Sequence, residues 1–173
     1  MGCDIHIFSE VKYHGGYWKP WLKSYSGDLQ LDCLSNRHYL WFSILAGVRS
    51  GGNSIKPIAA NRGIPEGISK EVLDGMESYH SQTWCTLEEM AESLMLVKKY
   101  YEDNADEDSY EDEGEEIKYE SSGLWYPDNV NWHPRYNNEN IEPVIKEYEE
   151  ICALAEFLDI PIPEVRLVIG FDS

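Results

Sequence analysis

The chain is short of positive charge. Across 173 residues, 14 Lys and Arg stand against 32 Asp and Glu, for a formal net charge of −18. A surface of that sign repels nucleic-acid phosphates and anionic lipid headgroups, which argues against non-specific binding to either. Long apolar runs are missing as well. No stretch approaches the roughly 18 residues that a membrane-spanning helix needs, so no membrane association is expected. The four cysteines, Cys3, Cys33, Cys85 and Cys152, are scattered and form no Cys-x-x-Cys pair, which disfavours structural zinc. The opening Met1-Gly2-Cys3-Asp4 lacks the basic and apolar segments of an export signal. His6 stands where N-myristoylation wants Ser or Thr. The expected location is therefore the cytoplasm, with reduced thiols.

Aromatic residues are plentiful. They make up 13% of the chain, including 6 Trp and 12 Tyr, and hydrophobic residues make up 42%. That is core material for one ordinary domain over 1–173, and it excludes a wholly disordered acidic chain.

The charge is unevenly placed. Between Glu102 and Glu120 eleven acids face Lys118 alone, a local net of −10 that leaves −8 for the rest. So little apolar side chain accompanies them that burial cannot offset the entropy of ordering. The tract reads as a mobile, solvated insertion. Conversely, the 33 residues from Cys33 to Pro65 contain no Asp or Glu, where the chain's average would give about six, and they include Arg37, Arg49, Lys56 and Arg62. Arginines free of local acids suit capture of phosphate or carboxylate. The alternative is that they pair with acids from elsewhere in the chain.

Residue patterning supplies the elements. Cys3–Tyr13 alternates, with Asp4, His6, Phe8 and Glu10 on one face and Cys3, Ile5, Ile7 and Val11 on the other, which predicts a strand. A His14-Gly15-Gly16 turn and a strand from Tyr17 to Tyr25 complete a hairpin. Asn36 is placed to cap a helix carrying Leu40, Trp41, Ile44, Leu45 and Val48, which Gly47 and the glycines beyond it end. Ser69–Met76 fits a short helix. Thr86-Leu87-Glu88-Glu89 is a capping box opening a helix that runs to Tyr101. The longest helix is expected from about Ile141 to Leu158, capped by Asn140 with Pro143 in its first turn. Val165, Leu167, Ile169 and Phe171 form one face of a last strand. The expected class is α+β: a small, mainly antiparallel sheet of N-terminal hairpin plus C-terminal strand, packed on one side by about three helices.

Asp4 and His6 share a strand face, a spacing that can present two ligands to one divalent metal ion, with Asp172 joining if the first and last strands pair. A hydrogen-bonded Asp–His pair supporting the sheet is the simpler reading. The calcineurin-like phosphoesterase pattern resembles the chain at Asp4-Ile5-His6 and loosely at Gly27-Asp28. Gly52-Asn53-Ser54 replaces its Gly-Asn-His block, however, and βαβ alternation is absent. Arg62 heads a rigid Asn61-Arg62-Gly63-Ile64-Pro65 turn. Tyr79–Trp84 gathers a titratable ring, hydroxyls and an indole just before a helix: His80 fits a general acid or base, Ser81 a polar contact, and Trp84 a platform for a base. Local capping by Ser81 and a core role for Trp84 fit equally. Cys85 near His80 suggests a thiol nucleophile only if the two side chains converge, which regular structure would prevent. Trp125-Tyr126-Pro127 and Asn131–Tyr136 form an aromatic loop suited to a lid or to core cover.

These positions also carry a resemblance. Met1-Gly2-Cys3-Asp4-Ile5-His6, Arg37–Phe42 with Leu45–Arg49, Pro57-Ile58, Arg62–Pro65 with Ile68-Ser69, His80-Ser81 with Trp84 and Thr86-Leu87, and Val165–Val168 with Phe171-Asp172 resemble a family of small proteins of tailed bacteriophages and bacteria. The resemblance covers nearly the whole length except the acidic insertion. It implies a phage or prophage setting rather than a reaction.

Three functions are consistent with these features. In the first, Arg37, Tyr39, Arg49, Arg62, Ser81 and Trp84 bind a nucleotide-like anion, with Asp4, His6 and His80 as polar or catalytic groups. Sequestering such a ligand in the host cytoplasm would counter defence signalling. Hydrolysing it, as a phosphoesterase would, requires a water activated by metal or histidine. In the second, the acidic surface mimics nucleic acid and inhibits a host protein. The third is an accessory virion protein.

Overall fold

The computed structural model describes residues 2–14, 16–24, 26–31, 34, 37–50, 55–104 and 134–172. Four antiparallel strands form one sheet: β1 (Asp4–Lys12), β2 (Trp18–Pro20), β3 (His80–Thr86) and β4 (Val165–Asp172), in the order β2-β1-β4-β3. The helices are α1 (Tyr39–Ala46), α2 (Lys70–Met76), α3 (Leu87–Asn104) and α4 (Pro134–Phe157), and a 3-10 turn at Ile162–Glu164 leads into β4. The α+β arrangement, the N-terminal hairpin and the C-terminal strand are those the alternating pattern predicts. Among the described residues no helix is long and apolar enough to cross a membrane.

First and last strands pair along their length, from Asp4 opposite Asp172 to Val11 opposite Val165. The Cys3/Ile5/Ile7 face of β1 and the Val165/Leu167/Ile169/Phe171 face of β4 meet α1, α3 and α4 in the main core. The other face is also covered. Phe8 and Val168 pack with Val72 and Met76 of α2 in a second apolar cluster, so the helices lie on both sides of the sheet rather than one. Every residue of β4 from Val165 to Phe171 is buried as a result.

Several local expectations are corrected. β2 ends at Pro20 instead of running to Tyr25, because the outer edge of β1 is shared. Trp21 N–H donates to Ser9 O (2.9 Å), the chain loops out, and Leu31 N–H returns to Ile7 O (2.8 Å). Residues 80–86 form a strand rather than a simple lead-in to α3. The α1 cap is His38, not Asn36: His38 Nδ1 accepts from Trp41 N–H at 3.2 Å, and Asn36 lies outside the described residues. α1 is buried all round from Leu40 to Ala46, which its apolar run permits. Helix α4 begins at Pro134, seven residues before Ile141, so Pro143 lies inside it. Pro134 suits a first helical position, since its missing N–H would have no partner there. α3 keeps the acids Glu102 and Asp103 within its last turn. The rest of the acidic tract and residues 125–133 lie outside the described residues.

The capping box forms as spelled. Thr86 N–H donates to Glu89 Oε2 (3.0 Å) and Glu89 N–H to Thr86 Oγ1 (3.1 Å). Glu10, which the alternation of β1 puts on the face of Asp4, His6 and Phe8, is fully buried. Arg166 Nε and Nη2 reach its Oε2 at 2.8 and 2.7 Å, and Ser69 N–H donates to its Oε1 at 2.7 Å. Arg166 also donates to Glu66 O (3.0 Å), and its guanidinium lies 3.9 Å from the Trp18 ring centre. Burial pulls the Arg166 pKa down against the opposing pull of Glu10. This clasp ties β1, β2 and β4 to the start of α2. Glu10→Ala, which strands a buried guanidinium, is expected to cost about 3–5 kcal/mol in urea unfolding. A Glu10→Leu/Arg166→Met double variant should recover most of that loss. A loss below about 1 kcal/mol in the single variant would show that the clasp contributes little.

Candidate functional site

The antiparallel register brings the start of β1, the end of β4 and the start of β3 to one end of the sheet. Asp4 faces Asp172 and His80 faces Phe171. Asp172 Oδ1 accepts from Asp4 N–H at 3.1 Å. His6 Nε2 lies 3.0 Å from Asp172 Oδ2, an ion-pair distance without hydrogen-bond alignment, and His6 Nδ1 is buried with no partner among the described residues. The His6 ring stacks on Tyr79, with centroids 4.0 Å apart and planes at 10°. Gly170, opposite His6, makes room for this stack: a Cβ there would stand 2.6 Å from Tyr79 Cβ.

Around this end sit the α1 residues and those flanking it. Arg37 holds the Asp4 carboxylate with two bonds of 2.7 Å and lies across Gly2, where a Cβ would meet its guanidinium at 2.6 Å. The same arginine lowers the Asp4 pKa. Tyr39 Oη accepts from Cys3 N–H (3.3 Å), and Arg49 lies over the Tyr39 ring with its Nη2 3.5 Å from Gly2 O. Asp4, His6, Arg37, Tyr39 and Arg49 therefore gather around the first residues of β1. Among the described residues no three His, Cys, Asp or Glu form a metal-holding group. Asp4 answers a guanidinium instead.

A cleft of about 480 Å³ opens beside this cluster, lined by residues 46–50, 55, 57, 60 and 61 together with His80 and Ser81. Besides Gly47, three of its lining residues adopt left-handed backbone: Arg49 (φ 57°), Asn61 (φ 55°) and Ser81 (φ 50°). The only other such non-glycine residue among those described is Asp159. This conformation costs most side chains about 1–2 kcal/mol, and Asn least. Strain of this kind concentrates at functional sites. Ser81 occupies the irregularity in the β3–β4 ladder between His80 and Thr83. Its Oγ stands 2.9 Å from His80 Nδ1, and both side chains are exposed.

Arg62 and Trp84 do not join this site. Arg62 donates to both Glu89 oxygens (2.8 and 2.6 Å), to Trp84 O and to Ile58 O (3.1 Å each). The guanidinium caps the Trp84 ring at 5.1 Å, so the indole carries a cation rather than offering a bare platform. The expected anion-binding arginine thus fastens the 58–63 loop to the start of α3. Acid-free sequence around Arg62 gave no sign of this, because its partner Glu89 comes 27 residues later. Cys85 is no nucleophile: it is fully buried, and burial drives its thiol pKa up. Sequence reading named Arg49 but missed the lining roles of Asn61, Val48, Ser50 and Ile55, whose only signal was the lack of acids.

No protein-family model, curated protein or solved structure matches the chain.

The Arg62–Glu89 pair makes a stability claim. Bonding to Arg62 holds the Glu89 pKa below its ordinary value. A depressed carboxylate stabilises the fold above its unfolded pKa of about 4.3 and loses that contribution as pH falls through the folded value. Arg62→Ala is therefore expected to lose about 1.5–3 kcal/mol at pH 7. In urea titrations the gap to the parent should close as pH drops below about 4. A gap that persists at low pH would assign the loss to packing alone.

Proposed function

We propose that this protein binds a small, nucleotide-like anion in the cleft beside the sheet end, and that it sequesters rather than cleaves it. The carrying observation is the convergence of Arg49, Asn61 and Ser81, all in strained backbone, on one cleft whose described walls contain no carboxylate. Nine of the eleven lining residues come from the acid-free stretch between Cys33 and Pro65. In a chain of net charge −18, this is a place where an anion meets little repulsion. Arg49 supplies the charge, while His80, Ser81 and Asn61 supply hydrogen bonds. Val48, Ile55 and Pro57 offer an apolar wall for a ring. Arg37 and Tyr39 act one step back, fixing the first residues of β1 on which Arg49 rests.

Binding is favoured over hydrolysis because Asp4, the natural partner of a metal or water, is committed to Arg37. In the phage setting that the sequence resemblance implies, the reading becomes removal of a host nucleotide signal in the host cytoplasm. Native mass spectrometry of protein purified from cells tests it. The expected result is a retained phosphorylated small molecule, lost or weakened by about 1.5–3 kcal/mol in Arg49→Ala. Retention of the same molecule with equal affinity in Arg49→Ala and His80→Ala would overturn the assignment.

A further inference from the structure

A second cleft, of about 600 Å³, lies at the other end of β1, between β2 and the start of α2. Three lysines line it: Lys19 on β2, Lys23 in the loop beyond, and Lys70 at the first position of α2. Glu71 is the one acid in the lining. Among the described residues none of the three ammonium groups is paired with a carboxylate, and the one contact shown for them is Lys19 Nζ over the Tyr13 and Tyr17 rings at 4.3 and 5.2 Å. In so acidic a chain, unpaired lysines would ordinarily find partners, and here three share one concavity.

The floor is built and rigid. Ser69 lines the cleft and is 8% exposed, and its N–H is taken by Glu10 Oε1. Among the described residues its buried hydroxyl oxygen has no hydrogen-bond partner, and it does not cap α2. A buried polar atom without a partner calls for an explanation, and an absent ligand oxygen is one. Beneath it, the Glu10–Arg166 clasp and the Arg166–Trp18 stack hold β2 and the start of α2 at fixed spacing. Trp21 and Leu22 N–H groups, bonded to Ser9 O and Oγ at 2.9 Å, anchor the chain just before Lys23.

We propose that this cleft is a separate site for a compact polyanion carrying two or more phosphate groups. The lysines neutralise it as mobile point charges, and the Ser69 hydroxyl donates to one of its oxygens. This chemistry fits free oligophosphate and the phosphate chain of a nucleoside triphosphate alike. It is independent of the first cleft, which holds a single arginine and no lysine.

Titration calorimetry with tripolyphosphate and with ATP tests the proposal on the full chain. Lysine-dependent binding of either probe is expected, weakened about tenfold by Lys70→Ala and abolished by Lys19→Ala/Lys23→Ala/Lys70→Ala. Arg49→Ala should leave it unchanged. In Arg49→Ala protein, where the first cleft has lost its charge, ATP binding tighter than tripolyphosphate would assign the ligand as a nucleotide, with Tyr17 as its ring contact; equal affinity would assign it as oligophosphate alone. Ser69→Ala separates a binding role from a structural one, since it should weaken binding with no loss in melting temperature. No binding at millimolar probe, binding lost only in Arg49→Ala, or binding indifferent to all three lysines would overturn the proposal.

Discussion

The pairing of β1 with β4 is the constraint on which the rest depends. Eight residues at one end of the chain lie against eight at the other, so closing the sheet means closing a loop of nearly the whole sequence. That closure is entropically expensive. It is offset by burying both faces of β4 and one full face of β1. The same pairing sets Asp4 against Asp172, brings His6 beside the Asp172 carboxylate, and joins Glu10 to Arg166. One register therefore creates the polar end of the sheet and the buried clasp at the same time. A slip of one residue would send the apolar residues of β1 to the wrong face.

Two kinds of arginine result. Arg62 and Arg166 are structural: each spends its donors on a carboxylate and on backbone carbonyls, and each lies over an indole. Arg37 and Arg49 are gathered around Gly2 instead, where Arg37 can approach because residue 2 has no side chain. Among the described arginines, Arg49 lines the first cleft. The described arginines thus divide by place: Arg62 and Arg166 fasten elements to one another, and Arg49 faces the cleft proposed above as a ligand site. Composition treats them all alike.

Backbone strain follows a similar division. Gly47 takes a left-handed conformation in the lining of the first cleft at little cost. Arg49, Asn61 and Ser81 take one at a cost, and each contributes a polar side chain to the lining. Glycine at those three positions would suit the backbone better but would remove the chemistry.

The first and last strands, the hairpin, the capping box and the helix stripes were legible in the sequence because each is set by spacing along the chain: alternation for β1 and β4, Thr86 with Glu89 for the start of α3, apolar periodicity for α3 and α4. The acid-free stretch likewise announced where a cleft wall without carboxylates would come from. The strand at His80–Thr86 was harder to see, since its polar start and its bulge at Ser81 break the alternation. What local spacing could not carry were the partners. That Arg62 belongs to Glu89, that Glu10 is buried beneath Arg166, and that Asp4 answers Arg37 are facts of chain closure. Opposite charges far apart in sequence are interchangeable until the fold brings a particular pair within about 3 Å. The residue types and their local shapes belong to the sequence; which charge meets which partner was decided only by the tertiary fold.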